Sequence, residues 1–493
     1  MPGWRSLVIT AGQPYRGRMS LQYSSVAFFA LVCTLGGGIG LSPAADAGVD
    51  PLLAELSRGW ELLEAGNQEA TVGFVDRSLL AMAGAAKAEA RTMTGFAMKG
   101  KEFDYPKVNA AGTFSYIRAK AFERAGKRDE WLAALRQVWT DYPFCQAWDP
   151  QGWFWKPGQA AKKEGYVEII AGAVRDRTLN ESPFPAAEDA LDYPQMSIAL
   201  AAVVSQTLER GDHAGLEYLA RRMQEMKLRF PDGGGALTVF FTASGGAAGP
   251  QKEESAWELA RERIAAWQQA FPDSPVPRVA EAHRLIQKAW HVRGSGFADK
   301  VKPEAWPVFK ELISKAGEVL DQSPRTCPEW YEERLIVARA LDATATEQNK
   351  LFEEGWRAFP GYLPLLNAMT ISRLARWGGQ PGDALEFARR MEKTMGATGY
   401  ALVMNEVWSY ERESILKERG FDAVLYRKGL MDLMDEHRGS LSLIHRILVM
   451  ALSLKDDALA KEAFHRAGEK YHPTYWTNSE DYLGSRNHAG VKP

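Results

Sequence analysis

Apolar residues recur along most of the chain at the three- and four-residue spacing of an amphipathic α-helix. In the segment DPLLAELSRGWELLEAG, leucine and tryptophan repeat in this way after an aspartate and a proline that suit the start of a helix. Residues 66–100 are rich in Ala, Met and Glu, which also favour helix. The chain has no convincing set of alternating strands. Residues 236–241, ALTVFF, fit either a short strand or the start of a helix.

A helix pair with a recognisable spacing lies over residues 116–143. Two apolar faces are separated by a glycine, and a proline ends the second of them. The segment resembles a tetratricopeptide repeat at Ala119, Phe122, Gly126, Leu135 and Pro143. It departs from that pattern at Trp131, where the repeat prefers alanine, so we expect looser packing or a shifted register there. The resemblance implies a fold of stacked helix pairs.

Several predicted helices end in aromatic residues followed by proline. The endings VWTDYP, KLRFP, AWQQAFP, GWRAFP and GEKYHP finish at Pro143, Pro231, Pro272, Pro360 and Pro473. Three of them carry a tryptophan shortly before the proline, namely Trp139, Trp267 and Trp356. Because proline cannot continue a helix, we expect each helix to bury its aromatic residues in its last turn and to stop there.

The glycine-rich stretch WGGQPGD is predicted to connect two helices rather than to cradle a phosphate. Pro364 suits the first turn of a helix that runs to Trp377, the glycines after it suit a left-handed cap, and Asp383 suits the start of the next helix. No Lys-Ser or Lys-Thr follows the glycines, and no strand precedes them. The string is also similar to one in uncharacterised bacterial helical-repeat families, a resemblance that implies no activity.

These patterns predict an all-α fold in which antiparallel helix pairs stack as a curved, tetratricopeptide-like solenoid. The small and polar segment 242–255 is predicted to be a linker between two arms, 48–241 and 256–473. Residues 474–493 lack periodicity and are predicted to fray.

Charge excludes one class of partner. The 493 residues include 60 Lys+Arg and 62 Asp+Glu, which gives a formal net charge of −2. Neither sign dominates a long stretch, so nucleic acid is not an expected partner.

Residues 1–47 have the order of an export signal. Arg5, Arg16 and Arg18 precede the apolar run Val26–Leu41, and Ala45-Asp46-Ala47 follows as a cleavage site. An uncleaved anchor helix is the alternative, but the apolar run is shorter than the ~20 residues of a bilayer span. Translation from Met19 is a second alternative, disfavoured because it would remove all three arginines. We therefore expect a periplasmic or secreted protein with no membrane span after cleavage.

Cleavage would leave two cysteines, Cys145 and Cys327. They are far apart in the sequence, and neither lies in a C-x-x-C or catalytic pattern. In a stacked array they would lie several repeats apart, so we predict two free thiols.

Chemical motifs are sparse. The densest metal-ligand candidates are Asp432, Asp435, His437 and His445, but the intervening Gly439-Ser440 is predicted to end one helix and cap the next. Glu406, Glu411 and Glu413 lie near Arg412 and are predicted to form a solvated, ion-paired helix face. The sequence predicts no metal site, no cofactor and no catalytic residue.

One aromatic cluster is a candidate for ligand binding. In PFCQAWDPQGWFWKPGQ, Trp148, Trp153 and Trp155 stand close together, and Gln151 and Lys156 would add polar contacts. Such rings on a loop can stack on sugar faces or on side chains of a peptide, but they can equally fill a gap between helix pairs, which we favour.

Two classes of function follow. The leading one is an exported, non-catalytic helical-repeat protein that binds a protein, peptide or glycan partner. The alternative is a cell-envelope hydrolase with a site formed across the helical array, which rests on fold-level analogy.

Overall fold

The computed structural model describes most of the chain from Pro51 onward. The described residues are 51–92, 105–142, 147–148, 154–155, 157–183, 192–230, 233–246, 253–294, 296, 298–411, 420–468, 475–476 and 479–491. The predicted export signal 1–47 and Cys145 lie outside them.

The described residues form 20 α-helices, and this confirms the predicted all-α class. The first ten are α1 (Pro51–Glu64), α2 (Gln68–Thr92), α3 (Tyr105–Arg124), α4 (Arg128–Asp141), α5 (Pro157–Arg175), α6 (Asp192–Glu209), α7 (His213–Glu225), α8 (Ala236–Ser244), α9 (Glu254–Ala270) and α10 (Pro275–Arg293). The others are α11 (Ala305–Asp321), α12 (Pro328–Ala340), α13 (Ala345–Ala358), α14 (Leu363–Ser372), α15 (Asp383–Met395), α16 (Ala397–Glu411), α17 (Ala423–Glu436), α18 (Leu441–Leu454), α19 (Asp457–Ala467) and α20 (Ser479–His488). A hairpin of two short strands, β1 (Ala147–Trp148) and β2 (Phe154–Trp155), lies between α4 and α5.

Side-chain caps fix the start of many helices. Asp212, Asp422 and Asp456 each accept a hydrogen bond from the backbone N–H three residues later, at the starts of α7, α17 and α19. Thr344 and Glu347 form a capping box before α13. Because these bonds satisfy N–H groups that have no partner within the helix, the local sequence itself sets where the helices begin.

Three of the five aromatic endings stop as predicted, whereas α7 ends at Glu225 and α19 at Ala467, several residues before Pro231 and Pro473. Helices α4, α9 and α13 stop just before Pro143, Pro272 and Pro360. Trp267 is fully buried, and its Nε1 donates to Oε1 of Glu217 at 2.9 Å. Trp356 stacks on Phe352 with 5.5 Å between the ring centroids. The last turn of each helix therefore contributes aromatic rings to the packing between helices.

Helices that take the same place in successive pairs form a layer. Helix α10 packs on α8 and α12, α12 also packs on α14, and α14 also packs on α16. The intervening helices α9, α11, α13 and α15 show no comparable packing on one another within the described residues. Helices α8, α10, α12, α14 and α16 therefore form one continuous layer of the array. We call them the inner layer.

One hydrophobic core runs from Tyr166 in α5 to Val491 after α20, while the first helices have smaller clusters of their own. Helix α8 ends at Ser244 and α9 begins at Glu254, within the predicted linker segment, of which residues 247–252 lie outside the described residues. The division into two arms stays a prediction.

The turn between α7 and α8 reaches helices far later in the chain. Arg229 donates from Nη2 to the carbonyl oxygen of Gly361, at the start of α14. A Cβ atom placed on Gly233 would lie 3.2 Å from the ring of His437, at the end of α17. Gly233 has a φ of +85°, a conformation that favours glycine. We call these two contacts the tie.

The WGGQPGD stretch does connect two helices, but the first of them is shorter than predicted. Helix α14 stops at Ser372, and a single 3₁₀ turn, Ala375–Trp377, follows. A Cβ on Gly379 would lie 2.3 Å from the carbonyl oxygen of Arg373, so the chain folds back on the end of α14 here, where only glycine fits. Asp383 is the first residue of α15 and accepts from the N–H of Gln380 at 2.8 Å.

The structure also decides between the two predicted states of residues 236–241, and it differs from the prediction for the C-terminal tail. Residues 236–241 belong to helix α8, in which Phe240 and Phe241 are fully buried. The tail predicted to fray over 474–493 contains α20, held because Tyr482 is buried and its hydroxyl donates to the carbonyl of Gly468 at 2.8 Å. None of the helices in the described part of the chain is long and apolar enough to cross a membrane.

Candidate functional site

Helix α12 carries three glutamates on one face. Glu329, Glu332 and Glu333 are spaced by three and four residues, so their side chains project from the same side of the helix. The other side is fixed by packing, because Nε1 of Trp330 donates to the carbonyl of Leu320 at 2.8 Å. Glu329 lies beside Thr238 of α8, and Glu333 contacts His283 of α10. We call these three residues the acid cluster.

The acid cluster is buried without a matching set of cations. Glu329 is 1% exposed and Glu333 is 2% exposed, while Glu332 is half-buried. Burial, together with the charges of Glu332 and Glu333, raises the pKa of Glu329 well above its ordinary value. Burial and the charge of Glu333 raise the pKa of Glu332 to about 8. Part of this cluster therefore holds a proton at neutral pH.

Glu329 and Glu332 also interact directly with each other, and this interaction adds to the rise of the pKa of Glu329. The hydroxyl of Thr238 on α8 lies beside Glu329 and opposes the rise of its pKa. Two adjacent carboxyl groups that compete for one proton titrate as a pair.

A buried histidine completes the cluster. Nδ1 of His283, on α10, is in contact with Oε1 of Glu333, and both side chains are almost fully buried. Nε2 of His283 and Oε2 of Glu333 have no hydrogen-bond partner among the described residues. The contact orients the imidazole ring and fixes the position of Glu333 relative to α10.

The polar face continues along the inner layer to α16. Arg339 of α12 donates from Nη1 to the carbonyl of Ala368 at 3.1 Å, and its guanidinium lies 5.5 Å from the ring centroid of Trp377. Burial lowers the pKa of Arg339 to about 10, and the charges of Tyr410 and Glu332 oppose this. This face therefore carries a basic group beside its acidic groups.

For Glu406 the structure differs from the expectation based on the sequence. It was predicted on a solvated helix face, but burial raises the pKa of its carboxyl group, and Arg446 opposes the rise. The reason is that Arg446 of α18 packs against this side of α16, where it also donates to the hydroxyl of Ser409 at 3.1 Å. Glu411 does form an ion pair, with Arg376 at 3.0 Å. Arg412 and Glu413 lie outside the described residues.

The histidine-rich segment serves packing and capping. His445 is buried and accepts from Nε1 of Trp476 at 3.0 Å, and Ser440 caps α18, as predicted. No group of three or more His, Cys, Asp or Glu side chains within the described residues is arranged to hold a metal ion. Cys327 is a free, buried thiol, and burial raises its pKa above the ordinary range.

The tryptophan cluster lies partly on the short hairpin. Its register places Trp148 opposite Phe154 and Ala147 opposite Trp155. Trp153, Gln151 and Lys156 lie outside the described residues. The candidate binding role of these five residues and the favoured packing role therefore both stay predictions.

Sequence reasoning missed the acid cluster, although the sequence PEWYEERLIVARA carries a signal for it. Aromatic and aliphatic residues occupy most of the remaining positions of this helix, so little of its surface is left for solvent. Acidic residues on a helix that is apolar on most sides must be buried, and buried acids are candidates for function.

Comparison with protein-family models gives no match, and comparison with curated proteins gives none either.

Proposed function

We propose that this chain is an exported, non-catalytic helical-repeat protein that binds a protein, peptide or glycan partner along the polar face of its inner layer. The acid cluster is the observation that carries this proposal. Burying carboxyl groups without enough hydrogen-bond or ion-pair partners costs stability, so they are unfavourable in a purely structural core. Groups with strongly shifted pKa values concentrate at functional sites.

The geometry supports a groove rather than a closed core. Glu332, Arg339 and Glu406 all keep some exposed surface, yet burial dominates the pKa shift of each of them. A side chain that is open to solvent on one side and surrounded by protein on the others lies at the floor of a groove. Stacked helix pairs commonly bind partners in such concave surfaces. The periplasmic or secreted location is part of the proposal, from the order of residues 1–47.

A position-dependent cross-linking experiment tests the binding surface. A photoreactive residue at Gln287 would lie on the same face of α10 as His283, at a half-buried site. The control position is Val308 on α11, outside the inner layer and 42% exposed. In a cell-envelope extract we expect a discrete adduct from position 287 and none from position 308, and we expect Glu332→Gln to weaken that adduct.

Adducts of equal yield at both positions, or at neither, would contradict the proposal.

One observation favours the alternative function, a cell-envelope hydrolase. A carboxyl group with a pKa of about 8 is protonated at neutral pH, as a general acid must be. Release of soluble fragments from cell-wall polymers by the wild-type protein, but not by Glu332→Gln, would support that function.

A further inference from the structure

The acid cluster has more hydrogen-bond acceptors than the chain supplies donors for. The Oε2 atoms of Glu329, Glu332 and Glu333 are buried and have no hydrogen-bond partner within the described residues. Nε2 of His283 is buried and unpartnered in the same way. Two buried donors near the cluster are also without a partner within the described residues, the hydroxyl of Thr238 and Nε of Arg339. The three carboxyl oxygens still outnumber them, and three carboxyl groups lie near one guanidinium.

Arg339 brings positive charge near the cluster, but part of its guanidinium is used elsewhere. Arg339 acts to lower the pKa of Glu332, but this is the smallest of the effects on that group. Its guanidinium donates to Ala368 and stacks over Trp377. Thr238 from α8 and His283 from α10 also face the cluster. A cation from outside would supply what the chain does not.

We propose that the acid cluster binds an organic ammonium group, the chemistry of a lysine side chain or of a free polyamine. This inference rests on the proposed function and names the chemistry of its ligand. One ammonium group carries three N–H donors and one positive charge, so it can satisfy acceptors on three side chains at once. A planar guanidinium presents its donors in one plane and suits a single carboxylate better.

Access and proton balance agree with this assignment. Glu332 and Gln287 are half-buried, so part of each residue stays open to solvent, and the ligand reaches the cluster from their side of the groove. As the ammonium enters, the proton that Glu329 shares with Glu332 leaves to solvent, and the bound cation takes its place. No covalent bond other than this O–H bond breaks, and none forms within the protein.

Titration calorimetry of the full chain tests the inference. The probes are a tetralysine peptide and spermidine, with a norleucine peptide of the same length as the uncharged control. At pH 7, in two buffers that differ in heat of ionisation, we expect an amine to bind with release of about one proton. We expect affinity to rise from pH 6 to pH 8, as the shared proton becomes easier to remove, and the norleucine peptide not to bind.

Matched variants connect the binding to the cluster. We expect Glu332→Gln and Glu329→Gln each to weaken amine binding at least about tenfold. Glu311→Gln, a change on exposed α11, should stay within about twofold of wild type. Melting curves of all three variants check that they fold. Glu329→Gln keeps the shape of a carboxyl group that is already protonated, so it serves if Glu332→Gln is unstable.

The probes separate the two sources of the ligand. Binding of tetralysine alone identifies a peptide ligand, and binding of spermidine alone identifies a free polyamine. Failure of both amines to bind, or binding that neither glutamate variant weakens, overturns the inference. Adducts from position 287 but not 308, in the absence of amine binding, would leave the proposed function standing and remove only the ammonium site.

Discussion

The buried carboxyl groups of α12 respond to their surroundings by holding protons. Transfer of a carboxylate from water to the protein interior is costly, so the neutral form is favoured and the pKa rises. Glu329 and Glu332 both show this rise. In the unfolded chain the same residues titrate near their ordinary value of 4.5. The folded protein therefore binds more protons than the unfolded chain between that value and a pH of about 8.

This difference gives stability a definite dependence on pH. Unfolding releases protons in this range, so the free energy of unfolding falls as pH rises from 5 to 8, by about 1.4 kcal/mol per pH unit for one fully titrating group. We expect Glu332→Gln to reduce that slope by about the contribution of one group. Chemical denaturation at several pH values measures it.

The control for this measurement is Glu311→Gln. Hydrogen bonding to Lys315 lowers the pKa of the exposed Glu311, so the slope between pH 5 and 8 should be unchanged in this variant. A wild-type stability that rises from pH 5 to 8 would contradict the buried, protonated state of the cluster.

At this scale the sequence predicts apolar positions better than polar ones. Trp267 could be placed in the core because its spacing before a proline marks the last turn of a helix. The burial of Glu406 could not be predicted from the local pattern. It depends on which side of a helix faces another layer, and only the packing of distant helices decides that.

At the scale of elements, glycines permit close approach of neighbouring helices. A Cβ atom on Gly355 in α13 would lie 2.7 Å from Cγ of Tyr331 in α12 and 2.9 Å from Cδ2 of Leu365 in α14. Three consecutive helices thus meet at one residue without a side chain. The contact holds α12, which carries the acid cluster, against its partner helices.

Gly355→Ala should therefore destabilise the protein. Overpacking of this kind typically costs about 1–3 kcal/mol, more than the gain in helix propensity from alanine. The matched control is Gly484→Ala in α20, where a Cβ atom would meet no atom within 4 Å. We expect this control to be neutral or stabilising by up to about 1 kcal/mol. Denaturant unfolding compares the two, and equal effects would contradict the packing argument.

The sequence predicts where a helix begins or ends if a capping residue or a proline marks that position. The predicted roles of Pro364 and Ser440 are confirmed at the starts of α14 and α18. The end of α14 could not be predicted, because it depends on Gly379 folding back onto the backbone of Arg373. The predicted β-like alternative for 236–241 fails for a similar reason, since an apolar run that is buried on all sides suits either state.

At the scale of the whole molecule, the tie joins parts of the array that are far apart in sequence. In a simple solenoid each helix pair contacts only its neighbours, and stability is nearly a sum of local terms. Here the turn between α7 and α8 contacts the start of α14 and the end of α17. Local unfolding at one of these places should therefore increase local unfolding at the others.

Hydrogen exchange tests this coupling. Gly233→Ala strains a residue with a φ of +85° and presses a Cβ atom against His437, at an expected cost of about 1–2 kcal/mol. We expect faster exchange at residues 233–236 and also at 437–440. Gly211→Ala strains a residue with a φ of +69°, but its added Cβ atom would meet no atom within 4 Å, so its effect should remain local. Equal exchange at 437–440 in both variants would show that the tie carries no coupling.

The tie also limits how this chain can change its length. A repeat array ordinarily tolerates gain or loss of one unit, because the new neighbours meet through the same surfaces as the old ones. Between Arg229 and His437 that freedom is lost. One added or missing pair would rotate and displace His437 relative to Gly233, and the contact could not form. The tie therefore requires a fixed number of helix pairs between Arg229 and His437. Duplication or deletion of a helix pair should be tolerated outside residues 229–437 but not within them.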